Sequence, residues 1–148
     1  MYPIILAAPS KPQARQYESS ALAVLHLLGI QPSEMENWNC CGVVHSLASD
    51  NLMRHVAPVR IFNQLQQQGS SEVVTFCDMC YNTLAQANLL VQQEPAKRET
   101  INEFIATEDS YQGQITVLHL LQVLRDRIGF QAIKKKVKRP LKGLKVFP

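Results

Sequence analysis

Short apolar segments alternating with amphipathic ones predict an α/β domain, a mainly parallel β-sheet of about four strands flanked by helices on both faces. Two further observations belong with that class. The 148 residues, 46% of them hydrophobic, suit one domain that buries enough apolar surface to fold without staples. The four cysteines form two tight groups, each where a strand is expected to end, and ligand sites in open parallel sheets gather beyond the carboxyl ends of strands.

The elements follow in order. Tyr2 to Ala8 is an apolar run suited to a buried strand, broken by Pro9, Ser10 and Pro12. From Gln13 to Leu28, the positions Tyr17, Ala21, Leu22, Val24, Leu25 and Leu28 recur at helical spacing, and Gly29 supplies the stop. Met35 to Trp38 is read as a second strand. Asp50 is the candidate cap of a helix through Leu52, Met53, Val56, Phe62 and Leu65, ended by Gly69; Pro58 either kinks it or marks a first turn. Val73 to Phe76 is a third strand, short and rich in β-branched residues. Leu84 to Val91 and Lys97 to Ala106 read as helices separated near Pro95. Ile115 to Leu118 is a fourth strand, and Leu118, Leu121, Leu124 and Ile128 carry a last helix to Gly129.

Charge divides the chain unevenly. Residues 1–133 carry 8 Lys and Arg against 12 Asp and Glu, whereas residues 134–148 carry seven basic residues and no acid. This basic, aromatic-poor tail, with only Phe147 available for stacking, is read as a solvated helix end and linker, with no nucleic-acid partner. Residues 1–140 are expected to form the domain, and 141–148 to begin a linker or strand leading to a second domain. No apolar run reaches the ~18 residues of a membrane span. The opening Met1 to Ala8 lacks a basic leader region and is broken by Pro3, so the expected compartment is the cytoplasm, where thiols stay reduced. Walker, dinucleotide-binding and Ser-His-Asp patterns are absent from the sequence, which leaves nucleotidase, nicotinamide and hydrolase functions unsupported.

The chemistry therefore lies with Cys40-Cys41-Gly42 and Cys77-Asp78-Met79-Cys80, 35 residues apart. A single cysteine is ordinarily a small buried hydrophobe, but two clusters with no stray fifth are not explained that way. Cys77 falls at the start of a helix, where backbone N–H groups and the dipole favour thiolates, and an offset of three returns Cys80 to the same face. Gly42 leaves room for a bulky group to approach the backbone, or permits a positive φ. A redox pair of Cys77 and Cys80 leaves Cys40 and Cys41 unused. Zinc normally uses two spaced pairs, and soft sulfur at unusual spacing suits an iron–sulfur cluster at least as well. Spacing points to a metal site without naming the metal.

Trp38-Asn39-Cys40-Cys41-Gly42, the 35-residue gap and Cys77-x-x-Cys80-Tyr81-Asn82-Thr83-Leu84 resemble the cysteine-rich CCG domain of the heterodisulfide reductase B-subunit. Tyr17-Glu18-Ser19-Ser20, Val117-Leu118-His119-Leu120-Leu121 and Lys138-Arg139-Pro140-Leu141-Lys142-Gly143-Leu144-Lys145-Val146 are similar too, so the likeness runs over nearly the whole chain in order. The resemblance implies an electron-transfer domain of an oxidoreductase complex acting on a disulfide or related acceptor, inactive alone, with other subunits or a second CCG domain as partners. It implies a [4Fe–4S] cluster, non-cubane in that family, with Cys40, Cys41, Cys77 and Cys80 as ligands and Gly42 as the close-approach glycine. The family's further cysteine, after the first strand, corresponds here to Ala8. Four thiolates in place of five favour a cubane cluster or zinc. A zinc-binding or metal-free structural, partner-binding module that has lost redox activity is the alternative.

His119 matches a family position at a strand end and is the candidate catalytic proton donor to a leaving thiol. His45, close to Cys41, is a candidate substitute ligand. His26 is read as a core or edge histidine, His55 as a surface one, and Trp38 and Tyr81 as screens between the cysteines and water.

Overall fold

The computed structural model describes residues 4–7, 15–35, 37–42, 52–106 and 109–145. The elements are β1 (Ile4–Ala7), α1 (Arg15–Leu27), β2 (Pro32–Glu34), a 3₁₀ turn (Met53–His55) leading into α2 (Val56–Gln67), β3 (Glu72–Thr75), α3 (Asp78–Gln93), α4 (Pro95–Ile105), β4 (Thr116–His119), α5 (Leu120–Gln122) with a π-helical continuation (Val123–Ile128), and α6 (Phe130–Lys136). The expected sheet-centred architecture is corrected: the domain is mainly helical, and strand is a small minority of the described residues. Four parallel strands pair in the order β2-β1-β3-β4, but each is only three or four residues long.

Packing explains the correction. The larger core joins Val59, Ile61, Phe62 and Leu65 of α2 to Leu84, Ala87 and Val91 of α3 and Ile101 of α4, with loop residues Met35, Cys41, Tyr111 and Ile115. Among the described members of this core only Val73 comes from a strand, and the burial among them is mainly helix against helix. The smaller cluster places Ala21 and Leu25 of α1, with Leu120 and Val123, against Val74. Neighbouring β3 residues Val73 and Val74 serve different clusters because successive strand side chains point to opposite faces.

Local chemistry sets the boundaries. Helix α1 closes when Ile30 N donates to Leu25 O at 2.9 Å across Gly29, whose φ of 79° is left-handed. Pro58 lies in the first turn of α2, where its missing N–H costs nothing, so the helix runs through it unbroken. Pro95 opens α4 at its first position. The candidate cap Asp50 lies outside the described residues. Strand β2 is Pro32–Glu34, upstream of the predicted Met35–Trp38, and its partner is β1 alone. Met35 is instead a core residue, and Asn37 adopts φ 54°.

His55 also departs from expectation. It is 4% exposed, and its Nε2 accepts a hydrogen bond from Arg54 Nε at 3.0 Å. Burial first, then the Arg54 guanidinium, holds its pKa below the ordinary 6.5. The unfolded chain therefore takes up a proton at a higher pH than the folded one. Stability should be full above pH 6.5 and fall progressively as pH drops from 6.5 towards the depressed folded value, levelling off below it. Urea midpoints between pH 5 and 8 check this, and a His55→Gln chain should lack this step.

Candidate functional site: a thiol cluster beside the third strand

Thr75 ends β3 and is fully buried. Its Oγ1 accepts from Cys77 N at 3.2 Å and donates to Cys77 O at 2.8 Å, clamping the Cys77 backbone from both sides. Cys77 is thereby held extended, at φ −101° and ψ 121°, as the cap residue of α3. Its carbonyl then takes the first helical bond, from Tyr81 N at 2.9 Å. Thr75 is a positioning residue that the cysteine pattern did not reveal; the signal was a hydroxyl two residues before Cys77. Thr75→Val keeps the shape but leaves the Cys77 amide without its acceptor, a loss of about 1–3 kcal/mol. Urea denaturation should show that loss, together with faster alkylation of Cys77.

All four cysteines are unbridged. Cys40 and Cys77 are exposed, Cys80 is half-buried, and Cys41 is 5% exposed within the larger core. Cys41 Sγ lies 3.1 Å from Cys80 Sγ, across 39 residues of sequence. Contact with Cys41 first, then burial, with a smaller effect of the neighbouring Cys77, pushes the Cys80 thiol far above its ordinary range. The structure thus brings Cys41 and Cys80 together, with Cys77 beside Cys80, while the adjacent Cys40 faces solvent. Gly42 is buried and left-handed at φ 76°, a backbone state that favours glycine.

His119 ends β4 and caps α5. Its Nδ1 accepts from Leu121 N at 3.2 Å, so the neutral ring carries its proton on Nε2. Nε2 faces Phe76 O at 3.2 Å and Asp78 Oδ1 at 3.0 Å, the residues on either side of Cys77. The imidazole therefore ties β4 to the Cys77 turn. Gln122 extends the tie: its Oε1 accepts from His119 N at 2.8 Å and its Nε2 donates to Tyr81 Oη at 3.1 Å. Tyr81 stands edge-on to the His119 ring, at 6.0 Å between centroids. Asp78 and Gln122 were not singled out by sequence. Trp38 is half-buried against the larger core, His26 is exposed, and His45 lies outside the described residues.

Whether these residues suit a five-thiolate cluster can be tested on the donor set. The position of the upstream ligand is Ala8. The sulfurs of Cys41 and Cys80 are engaged with each other, and among the described residues no group of three or more Cys, His, Asp or Glu side chains is arranged to hold a metal ion. With Ala8 in that place, the chain offers four of the five thiolates that the resemblance implies.

Comparisons with known proteins place this geometry. The model of the cysteine-rich domain family, CCG, matches residues 8–85, more than half of the chain. The chain belongs to the CCG family of cysteine-rich domains, and is a member of it resembling the heterodisulfide reductase B-subunit. It is 35% identical, over 90% of its length, to the 8-methylmenaquinol:fumarate reductase membrane anchor subunit of Wolinella succinogenes, covering 45% of that protein. It is 25% identical to a heterodisulfide reductase B-subunit-like protein of Archaeoglobus profundus, over 87% of the chain and 44% of the relative. The B-subunit of a ferredoxin/F(420)H(2)-dependent CoB-CoM heterodisulfide reductase of Methanosarcina acetivorans is 22% identical, over 84% of the chain and 42% of the relative. The chain thus spans less than half the length of these curated relatives. None of the described helices is long and apolar enough to cross a membrane.

Proposed function

We propose that this chain is a structural, partner-binding CCG domain of a heterodisulfide reductase-like redox assembly, and that it does not carry the family's five-thiolate cluster. The observation that supports this reading is the combination of Ala8 at the upstream ligand position with a sulfur contact that pairs Cys41 and Cys80 and leaves Cys40 exposed. Its partners would be other subunits of the complex or a second CCG domain, as the names of its relatives suggest. Within the domain, Thr75, His119 and Gln122 hold the cysteine turn against β4. His119 in this reading positions the turn; as proton donor it would act through the Nε2–H beside Asp78.

An iron–sulfur electron-transfer role is the second reading, favoured by the placement of Cys77 at a helix N-terminus with Cys80 on the same face. Zinc held by Cys40, Cys41, Cys77 and Cys80 is a variant of the first. The experiment is affinity isolation of the tagged chain from its own cells without oxygen, beside an assay of the isolated chain. The expected result is stoichiometric recovery with a redox-active subunit, and no viologen-driven turnover of disulfides by the chain alone. Catalytic turnover by the isolated chain would overturn the proposal.

A further inference from the structure

Helix α6, Phe130–Lys136, belongs to neither core. It contributes no buried residue, and of residues 130–145 every one is exposed except the half-buried Ile133. Phe130, Ile133 and Val137 nevertheless recur at i, i+3 and i+7, which sets them on one face of the helix and its C-cap. Phe130 is 69% exposed and Val137 50%. Lys134, Lys135, Lys136, Lys138 and Arg139 make five cations in six residues beside that face, and no acid lies among residues 127–148.

Capping accounts for part of this pattern. Cations suit the negative end of a helix dipole, and Lys134, Lys135 and Lys136 fill the last turn of α6. That effect fades beyond the last turn, where Lys138 and Arg139 lie, and it gives no reason for Phe130 and Val137 to stand in water. The acids at the base of α6 are engaged elsewhere: Asp126 pairs with Arg125, and Glu72 with Arg127. Gly129, at φ 79°, ends the π-helical segment and turns the chain into α6. The result is a short basic helix with one apolar face that the domain leaves in water.

We propose that α6, with residues 137–139, is a membrane-surface site that docks the domain on a bilayer containing anionic lipid. An acidic peptide or a nucleic acid would neutralise the cations but leave Phe130 and Val137 wet. An anionic bilayer answers both features: its headgroups attract the lysines, and the boundary of its acyl layer takes the apolar side chains. The seven residues of α6 span roughly 10 Å against the ~30 Å of a hydrocarbon core, so the helix lies in the interface and does not cross. Attachment through so few side chains is reversible and sensitive to salt.

The test sediments the full, reduced chain with vesicles of phosphatidylcholine, alone or with about 30% phosphatidylserine, at about 0.1 M salt. Phosphatidylserine should raise binding at least about tenfold, and raising salt to about 0.5 M should lower it again by about tenfold. The combined change Lys134→Gln, Lys135→Gln and Lys136→Gln should weaken binding about a hundredfold, and Phe130→Ala about tenfold. These side chains are exposed, so the variants should keep the parent's urea midpoint. Phe130→Trp adds a second indole to Trp38, and its emission should move to the blue on phosphatidylserine vesicles. Equal binding to both kinds of vesicle, or full binding by the chain with three glutamines, would overturn the proposal. Poly-glutamate bound as tightly as the vesicles, with no blue shift, would also overturn it and assign the segment to an acidic protein surface. The lipid comparison needs no variant, so a variant that fails to fold does not blunt it. Iron bound at the cysteines would leave this docking unchanged, so the proposed function and the membrane site fail independently.

Discussion

Ala8→Cys is expected to turn a chain that holds little iron after anoxic reconstitution into one that holds about four irons and four sulfides. Position 8 stands where the family places the ligand that precedes the Cys-Cys-Gly group, with 31 residues between it and Cys40. Restoring that sulfur raises the available thiolates from four to five, the number that the non-cubane cluster of the family uses. Each added anionic ligand strengthens attraction for iron, and cluster assembly is cooperative in its ligands, so the gain should be a large step and not a graded one. Iron and sulfide analysis of the two chains side by side measures it. Equal loading of both would show that Ala8 is not what limits the site.

The largest loss of stability is expected at Phe62. Its side chain is fully buried in the larger core and stacks on Tyr111 at 4.8 Å between centroids, with 21° between ring planes. Tyr111 in turn donates to Asn88 Oδ1 at 2.6 Å and accepts from Ile115 N at 3.1 Å, while Asn102 brackets its backbone. Phe62→Ala removes the ring from the point where α2 meets that polar lock. A buried Phe→Ala change costs about 3–5 kcal/mol, a large part of the ~5–15 kcal/mol that stabilises a domain. Phe104→Ala, 58% exposed on α4, should cost far less. Urea denaturation of the two variants should separate them by several-fold, and a comparable loss in both would remove Phe62 from the centre of the core.

The sequence carried the site's address more clearly than its geometry. Strand β3 and the turn after it were legible because Val73 and Val74 are β-branched and buried on opposite faces. Strand β2 was misplaced for the opposite reason. It is an edge strand of Pro32, Ser33 and Glu34, paired on one side only, so no apolar pattern marks it, and proline is tolerated there. Helix α3 begins at Asp78, directly after Cys77, where the cysteine spacing placed a helix start, while the apolar pattern becomes legible only from Leu84. The weight of helix over sheet was also hidden, since periodicity shows which face of an element is apolar and not whether that face meets a strand or another helix.

At the site, residue type and spacing identified all four cysteines, yet not which would meet. Cys41 turns inward to Cys80 while Cys40 is exposed, and spacing does not say which of two adjacent cysteines is buried. The hydrogen bonds of Asp78 and Gln122 were out of reach because they depend on how β3 and β4 lie side by side, with Thr75 opposite His119, whereas those of Thr75 to Cys77 are local. His55 is buried although it follows Arg54, because residue type alone carries no signal of a histidine's burial.

The central claim is that this CCG domain does not hold its family's cluster, and iron, acid-labile sulfide and zinc per chain, on protein purified and reconstituted without oxygen, test it most directly. The account predicts iron and sulfide well below one cluster per chain. About four irons and four sulfides bound to the unmodified chain would contradict it.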